Sequence, residues 1–264
     1  MLDNLAARPN FSQLLAAQVT LPGKVHRQYL RRGLNAGQRA AAIVSHYQYI
    51  DTLPAGRLGA AMTAVQEMPL LALQGKDDAR FTLSASSAGK AEREGETTLW
   101  LRDGSQTLLA SATFSVVRDQ EQWQLTIGGL QGPRRNVPHE VIKQATRACY
   151  GLFPKRLLLE FIWALAAQSN IQAIYGVSDN GHVFRALRYR LSKGRHFHAS
   201  YDEFWKSIEG EADGAWRWRL PLRLERKSLE EIASKKRAEY RRRFQLLDEL
   251  NAEVIVLTAG SRQA

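Results

Sequence analysis

Two adjoining segments, residues 154–167 and Ile171–Val177, constrain the architecture of this chain more than any others. The first, PKRLLLEFIWALAA, is apolar on nearly every face of a helix. Such a helix has no wet side and has to lie against a sheet. The second, IQAIYGV, has the continuous apolar character of a short buried strand. Helix followed by strand at this distance is half of a crossover unit, so the spacing predicts that Ile171–Val177 runs parallel to a central neighbour.

That neighbour comes from a run of strands upstream. Apolar and polar residues alternate through FTLSAS and SATFSV, as in antiparallel strands with one wet face. The pattern predicts strands over 64–74, 79–85, 97–101, 107–117 and 123–127, with Asp103-Gly104 as the clearest hairpin signal. The fold class expected is α+β: a mixed, mainly antiparallel sheet with flanking helices, extended by helices at both ends. Three regions follow: a helical extension over 1–60, a sheet core over 61–220, and a C-terminal basic helix with its tail over 221–264.

In the first region, Asn35 followed by Gln38 forms a capping-box pattern ahead of Ala40, Ile43, Val44, Tyr47 and Ile50 at helical spacing. His26, Arg27, Arg31 and Arg32 make a short basic patch before it. In the last region, Ser228 and Glu231 form a second capping pattern. Leu229, Ile232, Ala233, Tyr240, Phe244 and Leu247 recur at three and four residues, so an inward face is expected there.

The sequence carries a formal net charge of +11, which favours polyanions such as nucleic acid, anionic lipid or phosphate-bearing substrates without choosing among them. Cys149 is the single cysteine, so a disulfide within one chain is excluded, and its apolar helical setting suits a packed thiol. The opening residues do not read as a signal peptide. No run approaches the roughly 18 apolar residues of a membrane-spanning helix. A cytoplasmic protein is the expectation, peripheral at the inner face of the membrane if the charge is used there.

Residues 128–136, GGLQGPRRN, read as a glycine turn after the fifth strand. Free N–H groups in such a turn can hold an anion, and Arg134 and Arg135 would add two-pronged contacts to phosphate. The other reading is a turn whose glycines serve geometry alone. It is neither a P-loop nor a dinucleotide fingerprint. Just beyond the buried strand, Asp179, Asn180 and His182 occupy a polar turn of the kind that faces the crevice of an α/β fold. His182 could accept a proton, with Asp179 to orient it, or could merely cap the turn. His46 and His139 are further candidate bases. His196 and His198 could share one strand face around a metal, but no third ligand is evident, so no metal is expected. No helix-turn-helix, zinc finger or aromatic platform supports specific nucleic-acid binding.

IGGLQGP, FPKRLLLEF, IYGVSDNGHVF, YDEFW and SKKRAEYRRR together resemble the VirK/YbjX family of bacterial proteins over about residues 20–250. That resemblance implies a link to bacterial surface properties, virulence and resistance to cationic antimicrobial peptides, with no defined molecular activity. The order strand, glycine turn, helix, strand, Asn turn is more distantly similar to the cofactor-binding half of GNAT-type acyltransferases. That likeness implies that acyl-coenzyme A lies at a splayed pair of parallel strands. Gly129, Gln131, Gly132, Arg134, Arg135 and Asn180 would then hold the cofactor, and Tyr189 would protonate the departing thiolate. His182, assisted by Asp179, would be the base. Ala186, Leu187, Gly194 and Phe197 echo the end of the same pattern. The expected activity is acyl transfer from a thioester to an amine or hydroxyl, with a lipid or envelope precursor as acceptor. The alternative is a noncatalytic basic protein at an anionic membrane surface.

Overall fold

A computed structural model describes residues 1–185 and 200–259. Its centre is an eight-stranded sheet of order β1-β2-β3-β4-β5-β6-β8-β7. The strands are β1 (Met68–Gln74), β2 (Arg80–Ser87), β3 (Thr97–Asp103), β4 (Leu108–Asp119), β5 (Gln122–Gln131), β6 (Ile171–Val177), β7 (Glu211–Asp213) and β8 (Arg217–Leu220). β1 to β5 form an antiparallel meander. β6 joins β5 in parallel, from Trp123 opposite Ile171 to Ile127 opposite Gly176, as the apolar crossover demanded. β8 and β7 complete the sheet in antiparallel fashion beyond β6.

The helices are α1 (Leu2–Ala6), α2 (Phe11–Ala17), α3 (Ala36–Thr52), α4 (Arg57–Thr63), α5 (His139–Ala148), α6 (Pro154–Gln168), α7 (Tyr201–Ser207) and α8 (Arg237–Ala259). α6 and α8 pack with Phe114, Val116, Leu125 and Ile127 in the main core. Neighbouring strand residues point to opposite faces, so Ser115 and Val117 of β4 face the other way. There Tyr29, Leu30, Ile43 and Tyr47 of the N-terminal extension form a second apolar cluster against Val117.

Local chemistry sets several boundaries. Both halves of the Asn35–Gln38 capping box are present at the start of α3. The Asp103 carboxylate accepts the backbone N–H groups of Ser105 and Thr107, each at 2.9 Å, and so closes the β3–β4 hairpin. α6 opens with Pro154, whose missing N–H costs nothing in the first turn.

Three boundaries correct the sequence reading. The first strand starts at Met68 rather than 64, because residues Arg57–Thr63 form α4. Gly128 and Gly129 are not a turn: β5 continues through them to Gln131. The last helix begins at Arg237. The Ser228–Glu231 capping bonds exist, but they close a turn ahead of it. The buried face of α8 is Leu246, Leu247, Leu250, Val254 and Leu257, whereas Tyr240 and Phe244 are only half-buried. The inward stripe is thus displaced toward the C-terminus of the helix.

Candidate functional site

The parallel pair parts at its C-terminal end. β6 stops at Val177 while β5 runs on to Gln131, paired on one side with β4. The other edge of this extension meets Tyr201 of α7. Its hydroxyl accepts the Leu130 N–H at 3.1 Å and the Gln131 side-chain amide at 2.9 Å. Tyr201 is itself stacked between His182 and Trp205, with ring centroids 5.5 and 6.0 Å away. Burial, reinforced by the Glu94 and Asp179 carboxylates, raises the Tyr201 phenol well above its ordinary pKa.

Glu94 is the residue around which this region is built, and nothing in its sequence context marked it. It lies between β2 and β3, its side chain is 6% exposed, and its carboxylate is 3.1 Å from Nε2 of a fully buried His182. Nδ1 of His182 accepts the Phe184 N–H at 3.3 Å, so the ring proton is on Nε2 and is donated to Glu94. Both ring nitrogens are therefore engaged. The two glycines now acquire a reason. A methyl group at Gly128 would overlap the Glu94 carbonyl, and one at Gly129 would overlap its carboxylate. The Gly-Gly pair admits an internal carboxylate to the strand surface, in place of the expected phosphate.

Gly129→Ala should cost about 1–3 kcal/mol by overpacking, and Glu94→Ala should relieve part of that cost in the double variant. Urea unfolding of the four proteins measures the coupling, and strict additivity would refute the cradle.

Asp179 does not orient His182. Its carboxylate accepts the Tyr201 N–H at 2.7 Å and so ties the polar turn to α7. The carboxylate at the imidazole comes instead from Glu94, 88 residues away. Asn180 is exposed, and its carbonyl accepts from Arg32 at 3.1 Å. Arg32 also lies over Trp216, 4.7 Å from the ring, so part of the N-terminal basic patch is a fastening for this turn. His46 is buried on the inward face of α3, and His139 is exposed at the start of α5. Burial raises the Cys149 thiol to about 12, as suits a packed cysteine. Tyr189, Ala186, Leu187, Gly194, Phe197, His196 and His198 lie outside the described residues. Among the described residues no group of acidic, His and Cys side chains could hold a metal ion.

Beyond Gln131 the chain leaves the core. Gly132 and Pro133 are half-buried, and Arg134 and Arg135 are exposed. Lys155, in the first turn of α6, approaches Gly132, and its Nζ lies 6.0 Å from the Phe204 ring centroid. Desolvation lowers the Lys155 ammonium below its usual pKa. Among the described residues no carboxylate lies within 4.0 Å of Lys155, Arg134 or Arg135. Phe153, next in line before α6, is 62% exposed. Lys155 near Gly132, the two exposed arginines that follow Gly132 in the chain, and the bare Phe153 ring just ahead of α6 make a candidate cationic ledge. Lys155 and Phe153 escaped the sequence reading because FPKRLLLEF scans as the start of a core helix.

Comparison with known proteins gives relatives without an assigned activity. A family model described as a protein of unknown function (DUF535) matches residues 1–255. The uncharacterized protein YbjX of Escherichia coli (strain K12) is 36% identical over 259 residues, covering 98% of this chain and 78% of its own. An uncharacterized protein of Haemophilus influenzae is 26% identical over 254 residues, with 96% and 83% covered. A second from the same organism is 29% identical over 230 residues, with 86% and 72% covered.

Proposed function

The chain belongs to the DUF535 family, whose description carries no activity to transfer, and we propose from its geometry that it is a noncatalytic protein that binds the phosphates of an anionic membrane surface. The observation that carries this reading is the ledge at the end of β5. Lys155 is a desolvated cation without an anionic partner among the described residues, at the N-terminus of a 15-residue helix whose dipole also favours an anion. Arg134 and Arg135 follow closely along the chain from Gly132, which Lys155 approaches, and are exposed to solvent; guanidinium groups grip phosphate through paired hydrogen bonds. Phe153 supplies the apolar contact that peripheral proteins insert at headgroup depth. No described helix is long and apolar enough to cross a membrane, so the contact is one of surface to surface. The engagement of both His182 nitrogens supports a structural role for that imidazole, and with it a binding function.

Sedimentation with vesicles tests the proposal. Phosphatidylglycerol vesicles should retain the protein at low salt, phosphatidylcholine vesicles should not, and high salt should release it. Arg134→Ala, Arg135→Ala and Lys155→Gln should each weaken binding about fivefold, from about 1 kcal/mol per basic residue. Equal retention on neutral vesicles, or a triple variant that binds like the parent, would refute it.

Acyl transfer is the second reading, favoured by the parallel β5–β6 pair that separates past Ile127 and Gly176. In that case an amine or hydroxyl attacks the thioester carbonyl and gives up a proton, the carbon–sulfur bond breaks, and that proton ends on the departing thiolate. The phosphates of the coenzyme would lie on the same cationic ledge. Release of free thiol from acyl-coenzyme A in the presence of candidate acceptors, abolished by the ledge variants, would select this reading over the first.

A further inference from the structure

A cavity lies along the second half of α6. It has a volume of about 840 Å³, within the range of small-molecule sites. Its walls are the second half of α6, the inner face of α8 and residues 222–226, and Ile171 lies at one end. Trp163, Ala164, Leu247, Leu250 and Ile171 give it an apolar side. The alanines of α6 leave the space open, and the Trp163 indole is fixed by a 2.7 Å hydrogen bond to the Pro221 carbonyl. Leu222, 47% exposed, lies on the rim.

The lining also carries charged side chains, and half of them are spoken for. Glu160 is held by Arg156 at 2.7 Å, and Arg226 by Asp248 at 2.7 Å. Arg223 and Glu225 are exposed and make no ion pair with described residues. Arg223 thus offers a guanidinium to an incoming anion at a groove that is apolar only in part, with Glu225 opposing it.

We propose that this groove is a binding site for a single-chain anionic amphiphile. The alkyl chain lies along Trp163, Ala167 and Leu250, and the carboxylate or phosphate head is at Arg223. The site is separate from the ledge, because Lys155 opens α6 whereas the groove begins at Glu160 and continues past the helix end.

Calorimetric titration of the whole protein with octanoate, decanoate and dodecanoate, each below its micellar concentration, tests the assignment. The dissociation constant should fall about fourfold per methylene. Dodecyl phosphate, run in parallel, distinguishes a phosphate head from a carboxylate. Ala167→Trp fills the groove from an exposed position and should weaken dodecanoate at least about tenfold, the loss of a few methylene contacts. Arg223→Gln should weaken binding and Glu225→Gln should strengthen it, each by up to about fivefold. These two surface variants keep the test decisive if Ala167→Trp fails to fold. Affinity independent of chain length, or charge variants that shift binding in the same direction, would overturn the proposal. Loss of dodecanoate binding in Lys155→Gln or Arg134→Ala would also overturn it, by assigning the amphiphile to the ledge. The vesicle result is read on other residues and stands or falls separately.

Discussion

Lys24→Met should cost about 3–5 kcal/mol of folding stability, because it leaves one charge buried without its partner. The Lys24 ammonium is 2.5 Å from Glu96, with side chains 3% and 0% exposed. Around them Gln18 accepts from Lys24 at 2.6 Å, and Tyr47 donates to Glu96 at 2.7 Å. Desolvation pushes the Lys24 pKa down, while the adjacent Glu96 pulls it back up. In the variant, Glu96 keeps a tyrosine and an amide donor but loses its only close cation among the described residues. Glu96→Gln should be about as damaging for the converse reason. The double variant Lys24→Met/Glu96→Gln should recover most of the loss, since a buried pair contributes little net stability over a neutral replacement. Urea unfolding measures all three. Single variants within about 1 kcal/mol of the parent, well below the cost of a stranded charge, would show that water reaches the pair.

Acid should destabilise the protein through His46. Burial, with Lys24 and Arg8 nearby, lowers its pKa from the ordinary 6.5 to about 3. The ring is held neutral: Nδ1 accepts the Val116 N–H at 3.1 Å, and Nε2 lies 3.0 Å from the Thr97 hydroxyl. Between pH 6.5 and about 3 the unfolded chain binds a proton that the folded chain refuses. Stability from this group is therefore complete above 6.5 and is lost as pH falls toward about 3. At pH 4.5, two units below the unfolded value, the loss relative to pH 7 should be about 3 kcal/mol. His46→Gln keeps an acceptor for Val116 and removes the titration. Its stability should depend less on pH over the same interval, and an unchanged pH profile would refute the assignment.

What the sequence disclosed and what it withheld divide by the range of the interaction. The capping box at Asn35 and Gln38 is complete within four residues, and it formed as read. The crossover from α6 to β6 was legible because an all-apolar helix leaves few ways to be covered. Gly128 and Gly129 were misread as a turn because their partner, Glu94, is brought to them by tertiary folding. For the same reason the sequence pointed to Asp179, close to His182 along the chain, and gave no sign of the distant Glu94. Lys24 and Glu96 carry no mark of their burial in the sequence, because no periodicity distinguishes a buried ion pair from a solvated one. The cationic ledge was half visible: Arg134 and Arg135 advertised it, while Lys155 and Phe153 were hidden in the hydrophobicity of their helix.

The docking of the N-terminal extension has a consequence for synthesis. Lys24 precedes Glu96 by 72 residues, and Tyr29 precedes Ser115 by 86. At about 5–20 residues per second, the extension waits about 4–14 s after its own translation before Glu96 is even joined to the chain. During that interval Leu5, Leu14 and Leu21 have no sheet to cover them, although they end among the most enclosed side chains of the molecule. This segment therefore waits for partners that are made after it, and in a crowded cell it depends on whatever shields nascent apolar surface until β3 and β4 pair.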